Sequence, residues 1–190
     1  MSLWEAIVID GRERDVRAFL AGFAGDRGVD PASVVLGDDV GLDSGSIGEW
    51  LLELIGKGHH VALAPAPLAQ ALTDALERGG EEIDLRIERR HPIAAAHFGV
   101  RVETYSREAA AAVRSALATP AAGVRIEDRQ ESEQSMADAG GVELYAPVHE
   151  YTYRLSAHVT GPIDGVLAIR RSLSEIEVAA LEPLQVREPD

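Results

Sequence analysis

The sequence contains no cysteine, and this absence excludes several kinds of chemistry at once. Disulfide bonds, thiolate zinc sites, iron–sulfur clusters and cysteine nucleophiles all require that residue. The glycine-rich phosphate motifs GxGxxG and GxxxxGK[ST] are missing too, and so is the GxSxG elbow of hydrolases. Because no catalytic signature is present, we expect a protein without catalytic activity.

Basic residues are scarce relative to acidic ones. The chain has 18 Lys and Arg against 32 Asp and Glu, which gives a net charge of −14, and Lys57 is the single lysine. Affinity for nucleic acid depends largely on neutralising phosphates with basic side chains. We therefore expect no nucleic-acid partner.

Long apolar runs are absent as well. No segment approaches the roughly 18 apolar residues that a membrane helix needs. The first residues show no basic stretch followed by an apolar one, as a secretory signal would. Hydrophobic residues nevertheless make up 46% of the chain, which is enough for a core. These features predict a soluble, cytoplasmic protein with no membrane partner.

The first half of the chain alternates between strand and helix patterns. Residues 4–10 are apolar on both faces towards their end, as in a strand covered on both sides. The order reads β-α-β-α-β-α-β, and leaving out the predicted helix at 46–56 reduces it to βαββαβ. His91-Pro92 is predicted to mark the end of this half, because the residue before a proline avoids the helical conformation.

The second half is more regular. Strand patterns occur at residues 97–105, from Val124 onward, and at 151–159, where apolar and polar residues alternate over nine positions. Helices are predicted at 107–118 and after Gly161-Pro162, and a last strand contains Leu184 and Val186. Residues 130–141 are predicted to form a polar loop.

This element order resembles the ferredoxin-like superfold. The resemblance implies a four-stranded antiparallel sheet with two helices on one face. We predict an α+β fold of two tandem ferredoxin-like βαββαβ units, the first with an extra inserted helix. The predicted domains are residues 1–91 and 94–190. Because many unrelated functions use this fold, the resemblance does not identify one.

The alternation in the second half predicts which side chains face away from the helices. Two arginines on this open sheet face, Arg101 and Arg154, are candidate ligand-binding residues. The face is polar, so it is predicted to bind a small molecule or to pair with another copy in a homo-oligomer. The predicted open face consists of His97, Arg101, Glu103, Tyr105, Arg125, Glu127, Arg129, Thr152, Arg154, Ser156, His158, Gln185 and Arg187.

Topology predicts that two histidines of this face lie near each other. In a ferredoxin-like sheet the first and third strands are central, adjacent and antiparallel, so the start of one lies beside the end of the other. That arrangement places His97 near His158, where two imidazoles can hold a divalent metal or act in acid–base chemistry. The alternative is a polar face that packs against the other domain or a second subunit.

An unusual stretch lies at residues 145–153, where three of the four tyrosines surround a histidine–glutamate pair. Tyr145, His149 and Glu150 are therefore candidate ligand-binding residues. Neighbouring residues on a strand point to opposite faces, so His149 and Glu150 cannot act on one atom without a bulge. The alternative is a strand entry whose tyrosines belong to the core.

Two further motifs contain possible ligand groups. His59 and His60 stand together before a strand, where they could bind a metal, although adjacent side chains diverge. Residues 161–167 (GPIDGVL) resemble the strand–turn–helix entry of ACT regulatory modules, which bind amino acids at domain interfaces. In ACT modules this loop opens the first helix, whereas here it opens the second helix of the unit.

Two functions remain as hypotheses. The first is a non-catalytic module that binds a small ligand or assembles through its sheet. The second is a metal-assisted enzyme that uses His97, His158 and nearby carboxylates on the C-terminal sheet.

Overall fold

The computed structural model describes residues 3–28, 35–36, 40–42, 59–118, 120–135 and 151–187. The strands are β1 (Trp4–Asp10), β2 (Val35–Leu36), β3 (Val40–Leu42), β4 (His60–Pro65), β5 (Arg86–Ile93), β6 (Ala95–Thr104), β7 (Arg125–Ser135), β8 (Tyr151–Pro162), β9 (Ala179–Leu181) and β10 (Leu184–Arg187). The α-helices are α1 (Glu13–Arg27), α2 (Ala66–Gly79), α3 (Arg107–Ala118) and α4 (Ile163–Ser174). A 3-10 helix covers Gly80–Ile83. Within these ranges, no helix has the length and apolar character needed to cross a lipid bilayer.

The chain forms two compact units, and the βαββαβ order occurs twice, as in tandem ferredoxin-like units. One unit comprises Met1–Ala96 with Leu184–Asp190, and the other comprises His97–Pro183. The domain boundaries expected from the sequence, 1–91 and 94–190, stay a prediction. The helix expected at 46–56 lies outside the described residues.

The first unit contains a four-stranded sheet in the order β2-β4-β1-β5. Strand β1 pairs antiparallel with both β4 and β5. Residues from both helices pack onto one face of this sheet, in a core that includes Ile7, Ile9, Val16 and Leu72. The strand residues that alternate with this set are buried as well. They include Ala6, Val8, Val61 and Leu63. The first sheet therefore has apolar, buried residues on both faces, as the sequence of β1 predicts.

Strand β5 corrects the expectation that His91-Pro92 marks a break in the regular structure. The strand continues through Pro92 to Ile93, and Pro92 stands opposite Glu5 of β1. A proline cannot donate to a strand ladder, but β5 is at the edge of its sheet, where prolines are tolerated. Only Ala94 separates β5 from β6. The edge position thus removes the reason for a break.

In the second unit, β9, β6, β8 and β7 follow one another across the sheet, which is the ferredoxin-like order. Helices α3 and α4 contact each other, and both contact β8, so they lie on the same face. The β8 residues facing them are Tyr151, Tyr153, Leu155, Ala157 and Val159, all buried. The alternating residues Arg154 and His158 are exposed. The alternation predicted for 151–159 is confirmed.

A β-bulge in β7 changes the expected pattern of its side chains. The register with β8 shifts between Glu127 and Gln130, and Asp128 has a φ of 50°. Residues 130–135, expected as a loop, continue the strand to Ser135. Beyond the bulge Gln130 stands opposite Ser156, an open-face residue. Arg129, expected on the open face, instead binds Glu131, which contacts helix α3 through Arg114.

Strand β8 passes directly into helix α4 at Gly161 and Pro162. Gly161 has a φ of 150°, where side chains with a Cβ are strained. A Cβ there would lie 2.7 Å from the carbonyl oxygen of Gly123 and 2.8 Å from Cα of Val124. These are backbone atoms, which cannot move aside as a side chain can. The junction therefore requires glycine.

We predict that Gly161→Ala destabilises the protein by about 1–3 kcal/mol, because it combines a backbone clash with an unfavourable φ. Gly22→Ala is the matched control, since Gly22 is in helix α1 with no atom within 4 Å of a Cβ. Alanine there should stabilise by roughly 0.5–1 kcal/mol. Urea denaturation of both variants gives the comparison. Equal stability of Gly161→Ala and wild type would contradict the requirement for glycine at this junction.

Candidate functional site

A groove of about 680 Å³ lies on the open face of the second sheet, opposite helices α3 and α4. Three strands supply its polar lining. The polar residues that line it are Arg101 and Glu103 from β6, Gln130, Glu131 and Ser132 from β7, and Arg154 and Ser156 from β8. Val178 and Ala180 form an apolar margin near β9. The volume is in the range of small-ligand sites, which commonly measure about 300–1,000 Å³.

Two arginine–glutamate pairs cross this face from strand to strand. Arg154 of β8 donates from Nε and Nη2 to Oε1 of Glu103 on β6, at 3.1 and 2.8 Å. Arg101 of β6 donates from Nη2 to Oε1 of Glu182, which follows β9, at 3.0 Å. All four side chains are well exposed, so the groove presents both charges to solvent.

The Arg154 pair fixes a cation at one end of the groove. The hydrogen bond and the charge of Glu103 both raise the pKa of Arg154 above its usual value, and Tyr105 adds to this effect. Tyr105 immediately follows β6 and is 49% exposed, which makes it one of the three exposed large apolar side chains of the described residues. A cation and an anion therefore meet at this end, and Tyr105 is near enough to affect the pKa of Arg154.

Glu182 is held at the other end by several contacts. Its backbone N–H donates to the carbonyl of Gly99 at 2.8 Å, and its own carbonyl accepts from Arg170 of α4 at 2.6 Å. A Cβ on Gly99 would lie 2.3 Å from the Glu182 carboxylate. Because Gly99 has no side chain, the carboxylate rests on the β6 backbone beside Arg101. A smaller depression of about 210 Å³ adjoins here, and His158 contributes to its lining.

On the helix side, an ion network positions the β7 wall of the groove. Arg114 of α3 donates from Nε to Glu131 at 2.6 Å and also binds Glu133. Its guanidinium lies over the ring of Tyr153, 4.6 Å from the centroid. The hydrogen bond from Arg114 lowers the pKa of Glu131, whereas burial raises the pKa of Tyr153. The charged end of β7 is thus tied to helix α3.

The structure brings together two of the candidate ligand-binding residues. Arg101 and Arg154 line the same groove, on the face that the alternation predicts. Their role in binding stays a prediction. Tyr145, His149 and Glu150 lie outside the described residues. The sequence patterns did not predict a role for Glu182. Its position depends on the turn after β9 and on the space that Gly99 leaves by having no Cβ.

The metal hypothesis for His97 and His158 also stays a prediction. His97 is half-buried and His158 is exposed, both on β-strands of the second sheet. Within the described ranges, one group of three metal-ligating side chains has its ligand atoms within 4.8 Å of one another, and it includes neither histidine. That group consists of Asp10, His59 and Glu88 in the first unit.

Comparisons with known proteins identify no family. No protein-family profile matches the chain, and no curated protein matches it. Among solved structures, an unknown protein from Galdieria sulphuraria is 13% identical, with 98% of each chain covered and a TM-score of 0.31. A proposed glycine cleavage system transcriptional repressor is 9% identical, with 98% of each chain covered and a TM-score of 0.27. Both TM-scores are below 0.5, so these likenesses support no inference about function.

We predict that Arg114→Met lowers the free energy of unfolding at pH 7 by about 1 kcal/mol, through loss of the cation–π contact and of the ion pairs. Because Arg114 lowers the pKa of Glu131, the ion-pair part of its contribution is complete above the ordinary pKa of 4.5. That part should disappear as the pH falls through the lowered value, whereas the cation–π contact with Tyr153 remains.

Urea denaturation at pH 7 and at acidic pH measures how much the difference in unfolding free energy between wild type and Arg114→Met decreases in acid. Arg17→Met serves as control, because Arg17 forms an exposed pair with Glu13 within helix α1. The control should change stability little at either pH. A difference for Arg114→Met that persists unchanged in acid would contradict the assigned ion network.

Proposed function

We propose that this protein is a non-catalytic module that binds a small zwitterionic ligand in the groove of the second sheet. The observation that supports this proposal is that Arg101 and Arg154 line one open groove of ligand size and that each is paired with a glutamate. Arg154 with Glu103, and Arg101 with Glu182, each present a cation beside an anion. A small molecule with a carboxylate and an ammonium group matches that pattern.

The chemistry of arginine supports the anionic part of this assignment. A guanidinium has five N–H donors in a fixed fork, which suits bidentate recognition of a carboxylate. Among the described residues, the pair with Glu103 uses Nε and Nη2 of Arg154. Donors on Nη1 therefore remain for a ligand carboxylate. Ser156 and Gln130, opposite each other on β8 and β7, add neutral hydrogen-bonding groups.

The glutamates select against a simple anion. A phosphate or dicarboxylate placed between the arginines would lie close to Glu103 or Glu182, and like charges repel at this range. An ammonium group on the ligand converts that repulsion into attraction. The ring of Tyr105 at the end of β6 offers a further surface for a cation or an apolar side chain. The groove therefore favours a ligand with both charges.

We predict that free amino acids or related zwitterions raise the unfolding temperature of the full chain, whereas simple mono- and dianions of equal size do not. Differential scanning fluorimetry across a panel of charged metabolites makes the comparison, and isothermal titration calorimetry confirms each hit. Arg154→Gln should weaken binding of a confirmed ligand by at least about tenfold, because it removes a charged hydrogen bond.

Arg125→Gln is the matched control. Arg125 lies on the same sheet face, is paired with Glu127 at 3.3 Å, and is not part of the groove lining. Its replacement should leave the affinity unchanged. If Arg125→Gln and Arg154→Gln weaken binding equally, general charge rather than the groove is responsible. Stabilisation by anions alone, or by no member of the panel, would overturn the zwitterion assignment.

Self-association through the same sheet face is a second candidate. The exposed pairs place cations and anions in alternation, so two copies related by a twofold axis can align opposite charges. Such an interface would be polar and sensitive to salt. We predict that any dimer formed this way dissociates when ionic strength is raised.

Native mass spectrometry and light scattering at low and high salt test this candidate. Charge reversal of Arg101 to Glu should also dissociate a dimer formed through this face. A dimer that is insensitive to both changes uses another surface. A monomer at every concentration and salt condition leaves ligand binding as the function of the groove.

A further inference from the structure

The first unit carries a separate group of metal-ligating side chains at one end of its sheet. Asp10 is the last residue of β1, His59 immediately precedes β4, and Glu88 lies in β5. Antiparallel pairing brings the end of β1 beside the start of β4, where Ile9 stands opposite His60. Three segments that are distant in sequence thus each place one donor at this end of the sheet.

A bulge brings Glu88 to this end of the sheet. Val8 stands opposite Arg89 and Ile9 opposite Ile87, so Glu88 is the extra residue on the bulged strand. Ile9 and Ile87 pack into the core under the helices. β-Bulges commonly redirect a side chain next to a functional site. Here the irregularity places a carboxylate with Asp10 and His59.

The distances among the three groups suit a shared ion. The ligand atoms all lie within 4.8 Å of one another, and Nε2 of His59 is 4.0 Å from Oδ1 of Asp10. Donors around one zinc ion are separated by roughly 3.4 Å, given bond lengths of about 2.0–2.1 Å. Asp10 and Glu88 are exposed and can rotate to that spacing, whereas the His59 side chain is only 15% exposed and provides a fixed point.

The mixed donor set separates this group from an ordinary acidic patch. An imidazole nitrogen with two carboxylate oxygens suits zinc, manganese or iron, whereas magnesium and calcium prefer oxygen donors alone. Three protein ligands also leave a coordination position for water or a bound molecule. Arg86 is the basic residue opposite Asp10 in the strand register. Its guanidinium is paired with Asp84 at 3.9 Å.

We propose that Asp10, His59 and Glu88 form a binding site for a divalent transition-metal ion. The site is in the first unit and does not depend on the ligand groove of the second. It also differs from the pair His97 and His158, to which the sequence pattern points. The ion links the ends of β1 and β4 with the bulge of β5, so its binding should stabilise the first unit.

Calorimetric titration of the full chain, purified without a histidine tag, tests the site with zinc and manganese as the metals and magnesium as the oxygen-preferring control. We expect one zinc ion per chain and weaker binding of magnesium. His59→Gln, Asp10→Asn and Glu88→Gln should each weaken zinc binding by at least about tenfold. Replacing residues that only hydrogen-bond to metal ligands already lowers metal affinity by about that factor. Cobalt substitution gives a second readout, since the intensity of its visible absorption reports the coordination number of the bound ion.

Two control variants make the outcome decisive. The double variant His97→Gln/His158→Gln removes the other candidate imidazoles, and Asp74→Asn removes a carboxylate that binds Gln70 on helix α2. Both should keep the wild-type affinity. Loss of zinc binding in the histidine double variant, or full binding in His59→Gln, would overturn the proposal. So would an absence of binding by wild type at millimolar zinc or manganese. If His59→Gln does not fold, as judged by circular dichroism, the exposed Asp10 and Glu88 variants decide the matter.

Discussion

One-sided burial of the second sheet is the constraint from which its open groove follows. The buried residues of β8 lie under α3 and α4, and the intervening residues must then face away from the helices. Those residues are polar, and the charged ones among them form ion pairs across strands on the face that has no helices. The first sheet differs, because Val8, Val61 and other residues opposite its helix core are buried too. Its edge strand β5 carries charged residues such as Glu88 and Arg90, whereas Asp10 and His59 lie at the ends of β1 and β4.

Strict alternation made the face of Arg101 and Arg154 predictable from sequence. Period-two patterns assign side chains to faces without further information, and antiparallel pairing then brings adjacent strands into contact. The prediction failed at Arg129, because a bulge shifts the register by the time the strand reaches Gln130. The bulge is at Asp128, which has a positive φ. An aspartate in the sequence predicts that conformation less strongly than a glycine does. Patterns therefore predict faces well up to the first irregularity.

The same reasoning explains the proposed metal group. The end of β1 and the start of β4 are neighbours in any antiparallel pair, so Asp10 and His59 were within reach of a topological argument. Glu88 was not, because its place depends on the extra residue in β5. Likewise, the Glu182 carboxylate rests against Gly99, a contact that arises from the turn after β9. In both units one member of the proposed site, Glu88 or Glu182, lies in a bulge or a turn. Bulges and turns do not produce a periodic sequence pattern, so they are hard to predict.

The net charge of −14 acts on the two proposed sites in opposite ways. A strongly negative protein raises the local concentration of cations and repels anions over a Debye length of about 8 Å at physiological salt. This field assists a divalent cation approaching Asp10, His59 and Glu88. It opposes a simple anion approaching Arg101 and Arg154, whose charges are already offset by Glu103 and Glu182. A zwitterion has no net charge for the field to repel, and its ammonium group can interact with either glutamate. The long-range field and the local pairs thus favour the same class of ligand for the groove.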